Sequence, residues 1–229
     1  MSKNTTSPAK IGILTFPGSN CEPDCEWVFK KYFGMELVPI WHQEKTLPNI
    51  QALIIPGGFS FGDYLRGGHL ASVSPCMEQV KEFARKGGPI LGICNGFQIL
   101  TESGLLPGTL LPNLSKRFIC KPVDLAISSD GTNIYQSLIG CQTKLSLPIA
   151  HGEGRYYIND EGLKQLKDQG QIVFQYCDNP NGSVADIAGI CSKNGRVLGL
   201  MPHPERACDE VLKGADGIKV FEAFLANFL

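Results

Sequence analysis

The sequence predicts a single α/β domain built on a mostly parallel sheet flanked by helices. Three observations carry this reading. Apolar runs of strand length alternate with amphipathic segments of helix length. Glycine and proline cluster at the junctions between them. No internal repeat, linker or low-complexity segment divides the 229 residues. With 43% hydrophobic and 19% charged residues the chain suits a packed core. A fold of this size buries roughly 70% of its extended-chain surface.

The elements follow in order. Residues 1–9 are polar and read as a short disordered tail, and 10–229 as one domain. Residues 10–16 (KIGILTF) are a buried strand ending at the turn Pro17-Gly18. Residues 22–33 place Cys25, Val28, Phe29 and Tyr32 at helical spacing, and Gly34 suits the helix end. Residues 36–40 and 52–55 are strands, and the second runs into a glycine-rich loop over 56–68 (PGGFSFGDYLRGG). Ser74-Pro75 suits a helix start, with Pro at the first helical position. Met77, Val80, Phe83 and Ala84 form its apolar stripe, and Gly87-Gly88 ends it. Residues 89–93 are a strand, and 95–102 a helix that follows Cys94 without a spacer. The middle is less regular, with strands read at 123–128, 144–149, 172–176, 187–191 and 197–201. Helices are read at 160–168 and 218–229.

Composition excludes several classes. Lys plus Arg total 21 against 22 Asp plus Glu, a net charge of -1. Nothing in that balance favours nucleic acid or an anionic membrane surface. No apolar run reaches the roughly 18 residues of a membrane span, and the polar start lacks a signal-peptide core. Nine cysteines in 229 residues fall below the roughly 8–10% of disulfide scaffolds. No CxxC pair or Cys/His cluster at zinc spacing occurs, so no metal site is expected. The reading is a reducing, cytoplasmic setting in which most cysteines are small buried hydrophobes.

Three segments carry chemistry. Gly92-Ile93-Cys94-Asn95-Gly96-Phe97-Gln98 has the form of a nucleophile elbow, with Cys where hydrolases more often place Ser. Glycines two before and two after Cys94 let strand and helix approach. The sulfur then lies at a helix N-terminus, where backbone N–H groups and the helix dipole favour a thiolate. The second segment, Met201-Pro202-His203-Pro204-Glu205, follows a strand. A nucleophilic cysteine needs a base, and the base needs an orienting group. His203 and Glu205 stand two apart in a proline-stiffened stretch expected to be extended, so they share a side. The third segment is the 56–68 loop. It lacks both G-x-x-x-x-G-K-[ST] and G-x-G-x-x-G, so it is neither a phosphate loop nor a dinucleotide fingerprint. An N–H near Gly58 and the N–H of Asn95 suit an oxyanion hole. His151, in His151-Gly152-Glu153-Gly154-Arg155-Tyr156, follows another strand and is a candidate substrate contact. His42 reads as structural and His69 as a loop residue.

Together these segments resemble class I, triad-type glutamine amidotransferases. GICNGFQ is similar to the elbow of that family and PHPE to its His/Glu segment. PGGFSFGDYLRGG, GICNGFQ, NLSKRFIC, AHGEGRY and MPHPE together narrow the resemblance to the small, separate glutaminase subunits of phosphoribosylformylglycinamidine synthases. The resemblance runs from about residue 10 to 229 and implies a flavodoxin-like class I fold. It also implies that Cys94 attacks the side-chain amide of L-glutamine, that His203 moves the proton and that Glu205 orients His203. Gly58 and Asn95 are implied as the oxyanion hole, and Gln98 with the His151-Gly152 backbone as glutamine contacts.

The resemblance further implies partners: a large synthetase subunit that receives the ammonia, and a small third subunit. The chain itself is expected to need no cofactor, with ATP and Mg on the synthetase. Three other readings compete. A stand-alone cysteine hydrolase of the same fold needs no partner. Another amidotransferase glutaminase subunit shares the triad. A non-catalytic binding module would keep its function without the Cys94 thiol.

Overall fold

The computed structural model describes residues 9–130, 133–140, 143–212 and 214–228. Its strands are β1 (Ile11–Thr15), β2 (Leu37–Trp41), β3 (Ala52–Ile55), β4 (Ile90–Ile93), β5 (Thr109–Leu111), β6 (Ile119–Ile127), β7 (Lys144–His151), β8 (Arg155–Tyr157), β9 (Ile172–Tyr176), β10 (Ile187–Cys191) and β11 (Val197–Leu200). Its helices are α1 (Glu22–Val28), α2 (His69–Ser72), α3 (Met77–Arg85), α4 (Asn95–Glu102), α5 (Ile134–Ile139), α6 (Asp160–Asp168) and α7 (Asp216–Ala226).

Continuous apolar runs become strands covered on both faces. β3, β4 and β11 are buried at every position, as parallel strands between helices must be. The nine-stranded sheet runs β2-β1-β3-β4-β11-β10-β9-β6-β7. From β2 to β11 all pairs are parallel. From β11 to β7 they are antiparallel. The outer strand β7 alternates buried with more exposed positions, the pattern of a sheet with one wetter face. The turn that follows α1 meets α7 through Phe29 and Phe221, whose rings pack edge to face at 5.3 Å. β5 and β8 form a separate ribbon, and Tyr156 of β8 stacks on Phe97 of α4 at 5.9 Å.

Differences from the sequence reading lie where periodicity is weak. β6 begins at Ile119, before the expected 123, because Cys120, Lys121 and Pro122 are exposed and take their strand geometry from pairing with β7. The 22–33 helix closes in a π-helical turn over Phe29–Phe33, capped by Gly34 at φ 63°. The last helix runs Asp216–Ala226, not 218–229. α2, α5, β5 and β8 are too short to leave a periodic signal. The tail expected over 1–9 lies outside the described residues, except for Ala9.

Packing leaves no room for a side chain at the junction of β4 and α4. A Cβ on Gly96 would stand 1.9 Å from the Ile55 carbonyl oxygen of β3. α4 is buried from Asn95 to Thr101, so neither backbone can yield. Gly96→Ala should therefore destabilise by about 3 kcal/mol and lower Tm by roughly 6–12 °C in scanning calorimetry. Gly104 is the control: its φ is 75° but a Cβ there meets nothing within 4 Å. Gly104→Ala should cost only the left-handed backbone term of about 1 kcal/mol. Equal losses in the two variants would contradict the packing argument.

Candidate active site

Neighbouring parallel strands deliver the functional segments to one sheet edge. Ile55 of β3 is in register with Gly92 of β4, and Gly92 with Gly199 of β11. The 56–68 loop, Cys94 and the 201–205 segment therefore leave the same C-terminal edge, where sites form in open α/β sheets. The Cys94 N–H donates to the Leu200 carbonyl at 2.8 Å and ties two of these exits together.

Cys94 has φ 50° and ψ -103°, a backbone that non-glycine residues rarely adopt. It caps the N-terminus of α4 and is 5% exposed. Its Sγ lies 3.8 Å from the Ala150 carbonyl at the end of β7. The first-turn N–H groups of α4, beginning with Asn95, have no intrahelical acceptor and stand beside the sulfur.

His203 Nδ1 and Glu205 Oε1 are 2.6 Å apart, with side chains 2% and 0% exposed. The carboxylate accepts, so Nδ1 carries the proton of that bond, and Nε2 has no partner among the described residues. Burial by itself depresses the imidazole. The Glu205 charge and then the Cys94 sulfur outweigh it and hold His203 well above its ordinary value. That balance favours a proton on the imidazole, beside the Cys94 sulfur. The stretch is not extended as expected. Pro204–Arg206 forms a 3-10 turn with His203 at its cap, because proline's fixed φ suits a first helical position. The turn, not strand alternation, brings the two side chains together.

The 56–68 loop reaches the elbow through the Ser60 N–H, which donates to Asn95 Oδ1 at 3.2 Å. Gly58 has φ 143°, and a Cβ there would stand 2.7 Å from the Ser19 Cα. Only glycine fits this position. Phe61, Asp63 and Leu65 all have positive φ. Such strain persists only where surrounding contacts enforce it.

Gln98 is engaged at both ends. Its Oε1 accepts from Asn95 Nδ2 at 2.8 Å, and its Nε2 donates to the Glu153 carbonyl at 2.7 Å. His151 is buried, with Nδ1 2.9 Å from Asn113 Oδ1. Asn113 Nδ2 donates to the carbonyls of His151 and Arg117, so its Oδ1 is the acceptor and His151 Nδ1 the donor. Burial, then the charge of His203, pushes the His151 imidazole down to about 4. It is neutral at physiological pH. The Gly152 carbonyl accepts from the Asn113 N–H at 2.9 Å.

Residues beyond the sequence reading also stand here. Asn95 Nδ2 lies 3.3 Å from Asp63 Oδ1, and the Gly67 N–H donates to Glu153 Oε2 at 3.1 Å. Asp63 and Glu153 thus put acidic groups around Asn95 and Gln98, suited to a ligand's ammonium. Arg66 and His69 both contact Glu102 Oε2, at 2.6 and 3.0 Å, and anchor the end of the loop to α4. His42 is buried against Phe16 and Phe61, a packing role as read. Every cysteine among the described residues is free. Cys21, read as packing, instead touches the base: donor atoms of Cys21, His203 and Glu205 lie within 4.8 Å of one another. A soft divalent cation fits such donors, but the His203–Glu205 hydrogen bond already occupies two of them.

A thiol at a strained elbow, beside a buried imidazole paired with a carboxylate, is the set of groups that cysteine enzymes of acyl transfer use. The chain belongs to the glutamine amidotransferases: the CobB/CobQ-like glutamine amidotransferase domain matches residues 8–217. It is 49% identical over 217 residues to phosphoribosylformylglycinamidine synthase subunit PurQ of Trichormus variabilis, covering 94% of this chain and 96% of the relative. Identity to the PurQ subunit of Prochlorococcus marinus is 50% over 217 residues, covering 95% and 99%. The structure of PurLQS from Thermotoga maritima superposes with a TM-score of 0.83 at 39% identity, covering 95% and 98% of the two chains. A glutamine amidotransferase from the same organism shares the fold, with a TM-score of 0.64 at 15% identity and coverage of 96% and 97%.

One residue here has a measurable pH signature. Burial, and then the Glu153 charge, pushes the Asp63 carboxyl from its ordinary 3.8 up to about 6. The folded state holds this proton more tightly than the unfolded one, so its contribution is fully present below pH 3.8 and is lost as pH rises through 6. Above that, ionised Asp63 opposes folding. Asp63→Asn should raise Tm relative to the parent at pH 7.5, and the gain should shrink toward pH 4. Asparagine's ease with positive φ adds an offset that does not vary with pH. A Tm difference independent of pH would count against the assignment.

Proposed function

We propose that this protein is the glutaminase subunit of a phosphoribosylformylglycinamidine synthase in purine biosynthesis. It hydrolyses L-glutamine to glutamate and ammonia and passes the ammonia to a synthetase subunit. The observation that carries the reading is the buried Cys94–His203–Glu205 set on one sheet edge, in a chain that matches PurQ subunits along almost its whole length.

The chemistry follows from the geometry. His203 holds the proton drawn from the Cys94 thiol, the sulfur attacks the amide carbon of glutamine, and the carbonyl electrons move to oxygen. N–H groups at Gly58 and Asn95 stabilise that oxygen. The proton stored on His203 goes to the departing nitrogen, and ammonia leaves as the C–N bond breaks. A glutamyl thioester remains on Cys94. His203, now neutral, takes a proton from water as its oxygen attacks the thioester. Glutamate leaves, and the starting state returns. Glu205 holds the imidazole in the tautomer that faces the sulfur. Asp63 and Glu153 suit the α-ammonium of glutamine, and the His151-Gly152 segment lines the same space.

The partner reading rests on the mouth of the site and on PurLQS, whose chain superposes on this one. Phe59 and Phe118 lie there with ring centroids 6.5 Å apart, 45% and 54% exposed, near the exposed Tyr64 and Leu65. Exposed apolar groups of this kind mark docking surfaces. A large synthetase subunit covers them and takes ammonia before it meets water, with a small third subunit completing the assembly. ATP and Mg belong to the synthetase. No helix among the described residues is long and apolar enough to cross a membrane, in keeping with assembly in the cytoplasm.

The test is glutamate release from L-glutamine, with and without the cognate synthetase and its substrates. Cys94→Ala and His203→Ala should fold and lose glutaminase activity by about 10³-fold or more, and Glu205→Ala should lose less. Partner-stimulated release that vanishes in Cys94→Ala supports the reading. Full activity in Cys94→Ala would end it. Partner-independent turnover of simple esters would favour the stand-alone hydrolase.

A further inference from the structure

We propose that Cys21 is a positioning residue that couples the oxyanion donor on the 56–68 loop to the His203–Glu205 base. The inference rests on the glutaminase reading and adds to it a second thiol with no covalent role. Two arms of Cys21 carry it.

The first arm is backbone. The N–H groups of Asn20 and Cys21 both donate to the Gly57 carbonyl, at 3.4 and 3.3 Å. Gly57 C=O and Gly58 N–H belong to one planar peptide and point in opposite directions. Pinning the carbonyl therefore aims the Gly58 N–H away from α1. The same loop is held again by the Phe59 N–H on the Gly18 carbonyl, at 2.9 Å, and the Phe61 N–H on the Pro17 carbonyl, at 2.6 Å. The segment 17–21 is thus the mould in which the oxyanion loop sets.

The second arm is the sulfur. Arg206 Nη2 donates to Cys21 Sγ at 3.0 Å, and the thiol donates to Asn20 Oδ1 at 3.3 Å. Arg206 Nε lies 3.8 Å from Glu205 Oε1 and 3.6 Å from Asp24 Oδ2. Cys21 thereby holds the guanidinium beside a fully buried carboxylate, near Oε1, the same oxygen that His203 contacts. A cation at that distance stabilises the carboxylate charge with which His203 pairs. The fit is close: a Cβ on Gly57 would stand 2.8 Å from His203 Cε1 and 3.0 Å from Cys21 Sγ. Oxyanion peptide, imidazole and sulfur touch at one point, so a shift of Cys21 moves donor and base together.

The test compares Cys21→Ala, Cys21→Val and Cys21→Ser with the parent and Cys94→Ala, all full length and with the cognate synthetase. Removing the sulfur in Ala or Val should lower kcat by about tenfold while KM for glutamine stays within about twofold. Serine, which can accept and donate as the thiol does, should recover most of the loss. The pH profile supplies a second readout. His203 faces Glu205 and Arg206 on its own turn, Cys94 on the elbow, Cys21 ahead of α1, Asp24 on α1, and His151 on β7. Loss of the Cys21 contact should move the alkaline limb of kcat/KM to lower pH. An unchanged kcat and limb in whichever of Ala or Val folds would overturn the proposal while leaving the glutaminase reading intact. An active Cys94→Ala would instead overturn the reading beneath it.

Discussion

The parallel register of β4 with its two neighbours is the constraint on which the site depends. β3, β4 and β11 are consecutive in the sheet but distant in the chain, and each ends at the same edge. The glycine-rich loop, Cys94 and the His203 segment leave these ends side by side. The register also explains the close contacts. Gly96 must lie against the Ile55 carbonyl for α4 to start directly after Cys94. A larger residue there would lift the helix and carry the sulfur with it.

The elbow and the base are both costly arrangements. Cys94 stands in strained backbone, and His203 and Glu205 are ionisable groups removed from water. A buried α4 and a stiff parallel sheet offset the first cost. Mutual pairing offsets the second, since each charge supplies the other's solvation. The low dielectric that makes the pair expensive also strengthens its hydrogen bond and its hold on developing charge. Asp63, His151 and Arg206 border this dry region and share its electrostatics. Asp63 retains its proton to higher pH than usual, His151 is neutral, and Arg206 stays charged at the exposed rim.

The legibility of each part follows its range in the chain. β1, β3, β4 and β11 declare themselves as unbroken apolar runs because burial on both faces leaves no polar position. α1 and α3 are read from local spacing. β5 and β8, of three residues each, have no period to read and exist because a partner strand and the Phe97 ring hold them. Cys94, His203 and Glu205 are legible because their chemistry needs fixed local neighbours: flanking glycines, a following helix, a proline between base and acid. Cys21 and Arg206 have no such signature. They are separated by 185 positions, and nothing beside either one announces the contact. Glu153 and Asp63 are hidden in the same way, since neither is unusual until a loop folds over α4.

The sequence by itself determined the alternation of strands and helices, the elbow form around Cys94, and the pairing of His203 with Glu205. These depend on residues within a few positions of one another, where propensity, spacing and turn chemistry act directly. Tertiary structure alone decided that His203 and Glu205 meet on a turn and that Gln98 is held at both ends. It also decided the protonation of His151 and Asp63, and that a second sulfur lies beside His203 and Glu205. Those outcomes depend on burial and on charges from distant parts of the chain. A carboxyl or imidazole acquires its working state only when folding removes water and brings its neighbours into place.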